Sequence, residues 1–291
     1  NTPDNIFDDA YSYIMIISGG LVTTVFYNLF SSYLRAVGNS QIPLVFLVFS
    51  AVLNVILDLV FIATFHMGVS GAGYATILSQ GISAVLCLIY IYLRMPALRP
   101  EKSHWRLRAR ESRQQMTMGI PMALQFAITA SGTMIMQAAI NIFGSDAVAA
   151  FTAASKLQNL VMQGMIAMGQ TMATYSGQNF GKGDLARIRK GVRASLSASA
   201  VYAVAVALLV WILLKPCLGL FFTADVDMSA MMPWAETYIH ICAIFYIPLS
   251  TIFVFRNTMQ GCGYGFLPMM GGVSELAARM IVAFIAMSTV S

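Results

Sequence analysis

Eight apolar runs separated by polar breaks organise the sequence: 10–34, 42–65, 70–93, 116–143, 147–176, 193–214, 232–256 and 266–290. About 20 apolar residues suffice for a helix to cross a hydrocarbon layer roughly 30 Å thick. The runs are continuous rather than alternating with period two, so they predict membrane-spanning helices and not strands of a closed barrel. Several exceed the minimum length, which predicts tilting or extension beyond the bilayer.

Composition agrees. Only 10% of the 291 residues are charged and 58% are hydrophobic, whereas about a quarter of a soluble domain is charged. The net charge of +5 would fit a nucleic-acid surface if the basic residues formed a patch, but they follow the breaks between spans. The stretch from Arg94 to Arg113 holds seven of them; Lys182, Arg187, Arg189, Lys190 and Arg193 lie between the fifth and sixth runs; Arg35 and Arg256 end the first and seventh. With eight alternating spans all 14 face one side, and the positive-inside rule makes that side cytoplasmic. The expected location is therefore the plasma (inner) membrane, with Asn1–Asp9 and the loop of Asp225 and Asp227 outside and no nucleic-acid partner.

The polar stretch 94–114, with Pro96 and Pro100, reads as a cytoplasmic linker between a three-helix part of an amino-terminal lobe, 1–93, and a five-helix carboxy-terminal lobe, 115–291. An internal repeat supports two lobes. Ala10, Tyr13, Ile14, Ile16, Phe30, Gly38 and Pro43 recur 225 residues later as Ala235, Tyr238, Ile239, Ile241, Phe255, Gly263 and Pro268. That offset spans six helices, an even number, so the expectation is a pair of parallel repeats with a substrate cavity between them. The chain opens without Met and ends within an apolar run. Matching the first span to the seventh predicts three further helices before residue 1 and one after residue 291.

Acidic groups inside spans are expensive in lipid and mark function; Asp58 and Glu275 are the two. Asp58 follows Asn54 by one turn on the same face, and a carboxylate beside an amide oxygen suits Na⁺ or, as a carboxylate alone, a proton. Glu275 and Arg279 have the spacing of an intrahelical ion pair, structural or gating. Lys156, Gln125 and Gln163, with Gln137, Asn159 and Gln170, add polar groups to the fourth and fifth runs and are candidates for a cavity lining or for interhelical bonds. Twenty Met residues fit either an adaptable binding surface or ordinary packing. Cys87, Cys217, Cys242 and Cys262 stand singly and His66, His104 and His240 lack partners at ligand spacing, so no cofactor is expected. Gly177–Asp184 is glycine-rich but does not match the phosphate-loop pattern and reads as a helix end. No enzyme motif is present.

The segments Leu34-Arg35-Ala36-Val37-Gly38-Asn39-Ser40-Gln41-Ile42-Pro43, Leu53-Asn54 with Asp58, Gly119-Ile120-Pro121, Gly177–Asp184 and Gln260-Gly261-Cys262-Gly263 together resemble the multidrug and toxic compound extrusion (MATE) family. The resemblance implies a fragment covering about helices four to eleven of a twelve-helix, two-lobe all-α transporter. That family exchanges Na⁺ or H⁺ for organic, often cationic, compounds. It also implies a cation site in which Asn54 and Asp58 match an Asn and an Asp on helix five, Thr76 a Thr on helix six, and Tyr13 a helix-four Tyr, completed by an Asp on the first helix. Family members with coupling carboxylates on helices seven and ten are not matched, because Glu236 lies only at the outer end of its span. The expected function is export of small organic compounds driven by inward Na⁺ or H⁺ flow at Asp58. The rivals are a lipid-linked saccharide flippase of the same superfamily, for which few basic residues lie deep in spans, and a non-transporting membrane scaffold.

Overall fold

The computed structural model describes residues 7–101, 106, 108–219 and 228–290. The Asp225/Asp227 loop, Lys102 and His104 of the linker, and the first six residues lie outside this set. Ten α-helices account for most of the described chain: α1 Phe7–Gly19, α2 Leu21–Ala36, α3 Gln41–Asp58, α4 Gly68–Arg94, α5 Ala109–Ile140, α6 Ser145–Gly181, α7 Leu185–Gly219, α8 Met228–Ile244, α9 Tyr246–Gly261 and α10 Phe266–Val290. They fall into two compact units, residues 1–107 and 108–291, and the boundary lies inside the polar stretch 94–114.

In the first unit α4 is the central helix. It packs on α1, α2 and α3, with Leu34, Cys87 and Ile91 buried between them. In the second unit α6 plays that part against α7, α8 and α9, burying Ala150, Ala154, Leu157, Val161 and Met165 against Ala203, Leu218 and Tyr246. Lipid adds little drive for helices to associate, so close approach of small residues carries the packing. Where α9 meets α6, a Cβ on Gly261 would lie 2.3 Å from the Ala173 carbonyl oxygen, and only glycine permits that contact. The large apolar side chains left exposed, such as Val25, Leu47, Val52, Leu208 and Ile212, are those expected to face lipid.

Two helical pairs are bent: α1 and α2 meet at 44°, α8 and α9 at 54°. Gly20 sits at the first bend, where a Cβ would lie 2.2 Å from Ile77 on α4. At the second, Pro248 has no N–H for the carbonyl of Ile244 and its ring crowds that oxygen, which breaks the ladder there. Each pair ends in the same glycine turn. Gly38 and Gly263 both have φ +90°, and the amides after them, Asn39 and Tyr264, reach back to the carbonyls of Leu34 and Met259 at 2.9 and 3.0 Å, a Schellman closure. Within Gly177–Asp184 the residues to Gly181 belong to α6, and a similar turn follows at Lys182–Asp184, with Gly183 at φ +74°. It ends α6, and Asp184 caps α7 by accepting a hydrogen bond from the Arg187 amide at 2.9 Å, the ordinary chemistry of a helix start.

Two features of the expected fold class are corrected. Among the described residues five helices are long and apolar enough to cross a membrane, or seven if each bent pair is one span, not eight. The run 147–176 accounts for the difference. It folds as part of α6, but Lys156, Gln158, Asn159, Gln163 and Gln170 make that helix too polar, and it is absent from the apolar set. The parallel relation between repeats is also corrected. The α1–α2 pair packs mainly on α4, which follows it, whereas α8–α9 packs on α6 and α7, which precede it. Together with the pairing of α5 and α10, this pattern is consistent with an inverted two-lobe repeat and not a parallel one.

Candidate functional site

Asp58 is the last residue of α3, and the next six residues, Leu59–Thr64, form a π-helical turn in which the Phe65 amide donates to the carbonyl of Val60 at 3.0 Å. Such wide turns are uncommon and concentrate at functional positions. The Asp58 side chain is half-buried, and its Oδ1 is shielded from solvent with no hydrogen-bond partner among the described residues. A buried carboxylate oxygen left without a donor is costly unless something cationic or a proton comes to it.

The neighbouring side chains can supply further oxygens. Asp58 follows Asn54 by one helical turn, which sets the two on one face of α3. The Asn54 amide Nδ2 donates to Thr76 Oγ1 of α4 at 3.5 Å, leaving its carbonyl oxygen available. Thr76 in turn donates its own proton to the Ala72 carbonyl at 2.9 Å, so its oxygen presents only acceptor lone pairs. Asp58, Asn54 and Thr76 each carry a hard oxygen, with Asn54 bonded to Thr76 and Asp58 one turn further along the same helix. This is the donor chemistry that Na⁺ takes and that suits a proton on the carboxylate. Among the described residues no three His, Cys, Asp or Glu side chains come together as a transition-metal site.

Tyr13 of α1 lies against α4 one turn before Thr76: a Cβ on Gly73 would be 3.5 Å from its ring. One turn beyond Thr76, the Thr24 hydroxyl donates to the Gln80 side-chain carbonyl. This second polar pair was not read from the sequence; a Gln four residues after Thr76 in an apolar run was the available signal.

The other candidates lie in the second unit. Gln125 is buried and accepts a hydrogen bond from Gln260 Nε2 at 3.0 Å, tying α5 to α9. Lys156 and Gln163 are exposed, as are Asn159 and Gln170; at helical spacing the four form a polar stripe on α6 opposite its buried Ala154, Leu157, Val161 and Met165. Glu275 and Arg279 do pair, with Arg279 Nη2 donating to Glu275 Oε1 at 2.5 Å.

The family model described as MatE matches residues 1–60 and 121–285. A probable multidrug resistance protein of Bacillus subtilis, YpnP, is 31% identical over 90% of this chain and 58% of its own length. A probable multidrug resistance protein of Thermotoga maritima, NorM, is 23% identical over 98% of this chain and 61% of its own. The chain thus spans about three-fifths of the length of these two relatives. The crystal structure of a Vibrio cholerae MATE transporter, VcmN, shares the fold, with a TM-score of 0.85 at 18% identity over 99% of this chain and 70% of that one. The expectation of a partial stretch limited to helices four to eleven is corrected by these matches, which run over nearly the whole of the 291 residues. Counting helices by apolar runs misnumbers a chain in which two spans are bent pairs and one long helix, α6, is polar. Matched by the family model over most of its length, and 31% identical to a relative over 90% of its residues, the chain belongs to the multidrug and toxic compound extrusion family of membrane transporters.

Proposed function

We propose that the protein is a secondary exporter of small organic compounds, driven by inward movement of Na⁺ or H⁺ that binds at Asp58. The observation that carries this reading is the shielded Oδ1 of Asp58, without a hydrogen-bond donor among the described residues, one turn from Asn54, which donates to Thr76, whose own proton is spent on Ala72. A cation arriving from outside would bind to these oxygens and relieve the orphaned charge. Coupling requires that the bound cation and the exported compound stabilise different conformations. The π-turn after Asp58 is the local element that supports such a change, because a wide turn can tighten to an α-turn and rotate the helix end beyond it. Tyr13 is the residue beside the site, and the polar stripe of Lys156 and Gln163 on α6 is the candidate lining for the substrate's path. In this reading the basic linker 94–114 faces the cytoplasm in a plasma membrane.

The test is ion-driven flux. In proteoliposomes carrying the intact protein, an inward Na⁺ or H⁺ gradient should drive export of an organic cation such as ethidium, and Asp58→Asn should abolish the gradient's effect while leaving the protein folded and monodisperse. Applying each gradient separately identifies the ion. Gradient-driven export unchanged in Asp58→Asn would reject the assignment.

A further inference from the structure

Five cations crowd the turn between α6 and α7 and the first turns of α7. They are Lys182, Arg187, Arg189, Lys190 and Arg193, and all are exposed. Over residues 147–224 Asp184 is the single acidic residue, and its carboxylate is engaged in capping α7 through the Arg187 amide. Among the described residues no ion pair holds any of the five. Basic side chains elsewhere do have partners: Arg99 donates to the Tyr92 carbonyl at 2.6 Å, Arg108 pairs with Glu111 at 3.9 Å and Arg279 pairs with Glu275. The backbone dipole adds to the cost, because the amino-terminal end of a helix disfavours cations. The chain itself gives these five charges no compensation, whereas an external anion would.

Their placement on the helix says where that anion lies. One face of α7 is packed on α6: Ile188, Ser195, Ser199 and Ala203 are buried, and a Cβ on Gly191 would lie 2.2 Å from the Tyr175 ring. On that side the Tyr202 hydroxyl donates to the Val161 carbonyl at 2.9 Å. At about 100° per residue, Arg187, Arg189, Lys190 and Arg193 fan across the opposite side. Further along that outer side stand Val201, Val204, Leu208 and Ile212, all exposed, in a helix long and apolar enough to cross a membrane. Val201 and Val204 follow Lys190 and Arg193 by about three turns, or roughly 16 Å. One strip of α7 therefore runs from cations into aliphatic surface, and the exposed Phe180 and Leu185 lie beside the cations in the chain. Basic side chains at the end of a lipid-facing strip rest their stems on apolar surface and put their charges in the headgroup layer. A soluble acidic partner would match only the cationic half of the strip; an anionic phospholipid matches both halves.

We propose that Arg189, Lys190 and Arg193, flanked by Lys182 and Arg187, form a docking surface for anionic phospholipid headgroups, with the acyl chains lying along Val201, Val204 and Leu208. The proposal is independent of the export reading, so its test uses no ion gradient.

Native mass spectrometry of the intact protein in neutral detergent counts bound lipid directly. Dioleoylphosphatidylglycerol is titrated against dioleoylphosphatidylcholine, which has the same chains and no net charge. Phosphatidylglycerol should bind at least about tenfold more tightly. Arg189→Gln, Lys190→Gln and Arg193→Gln should each weaken it about fivefold and leave phosphatidylcholine binding unchanged. Arg189→Lys should keep the preference, and Arg108→Gln, which removes an exposed cation elsewhere in the same unit, should leave it untouched. Should one Gln variant fail to fold, the other two decide. Equal binding of the two lipids overturns the proposal. So does a loss in Arg108→Gln as large as in the α7 variants, which would mean a diffuse response to net charge. Inorganic phosphate and polyglutamate are then added as competitors at matched charge. Displacement of phosphatidylglycerol by polyglutamate would assign the surface to an acidic protein, and displacement by phosphate would make it a free-anion site; either overturns the lipid assignment. Phosphatidylglycerol retained against both supports it.

Discussion

Thr76 shows how a neutral side chain becomes a ligand. Its hydroxyl proton goes to the Ala72 carbonyl, so its oxygen can only accept, and Asn54 already uses one lone pair. In the proposed site its remaining lone pair would point at the cation. Thr76→Val keeps the shape and removes that oxygen, and it should raise the ion concentration needed for half-maximal export by about tenfold, the worth of one such contact. Thr76→Ser should stay near the parent value, and equal losses in both variants would point to helix packing instead. At this scale legibility in the sequence depended on cost. Asp58 and Asn54 were visible because a carboxylate in an apolar run is expensive and the amide sits one turn away. Thr76 carries no such signal, since a Thr in a helix usually satisfies itself against its own backbone; only the family resemblance singled it out. Arg256 marks orientation at the end of a span in the sequence, and the structure adds that its guanidinium lies over the Phe253 ring at 4.8 Å.

At the scale of the elements, periodicity and turn chemistry were informative and span counting was not. The glycine turns at Gly38 and Gly263 could be matched by offset because their left-handed backbone demands glycine. The bends could not, because a window of apolar residues averages over Gly20 and over Pro248 without registering a change of direction. The polarity of α6 was present in Lys156, Asn159, Gln163 and Gln170, yet its apolar neighbours carried the run. Helix contacts make a sharp distinction between glycines that the sequence leaves alike. A methyl group at Gly261 meets the Ala173 backbone at 2.3 Å, whereas one at Gly271 in α10 meets nothing within 4 Å. Gly261→Ala should therefore lower stability by about 1–3 kcal/mol through overpacking of α9 on α6. Gly271→Ala should be neutral or stabilising by up to about 1 kcal/mol from helix propensity. Thermal unfolding in detergent, followed by circular dichroism, reads both, and a loss at Gly271 equal to that at Gly261 would refute the close contact as the cause.

For the molecule as a whole, direction across the membrane decides what the proposed ion site can do. An inward ion gradient does work at Asp58 only if the site loads from outside, and that depends on the side to which the basic connections are held. The short connection containing His66 precedes α4 and carries no Lys or Arg, whereas Arg94 and Arg99 lie at and beyond the other end of that helix. In the proposed reading the positive-inside rule sets the two ends of α4 on opposite faces, with Asp58 only eight residues before His66 in the chain and so nearer the outer face. Single substitutions report this directly over the background of the four native cysteines. In intact cells a membrane-impermeant maleimide should label His66→Cys and leave Arg94→Cys unmodified until the membrane is permeabilised. The opposite pattern would turn the molecule over and place Asp58 near the cytoplasmic face, where an inward gradient would meet it last; export coupled at that residue would then be untenable even with every contact around it unchanged.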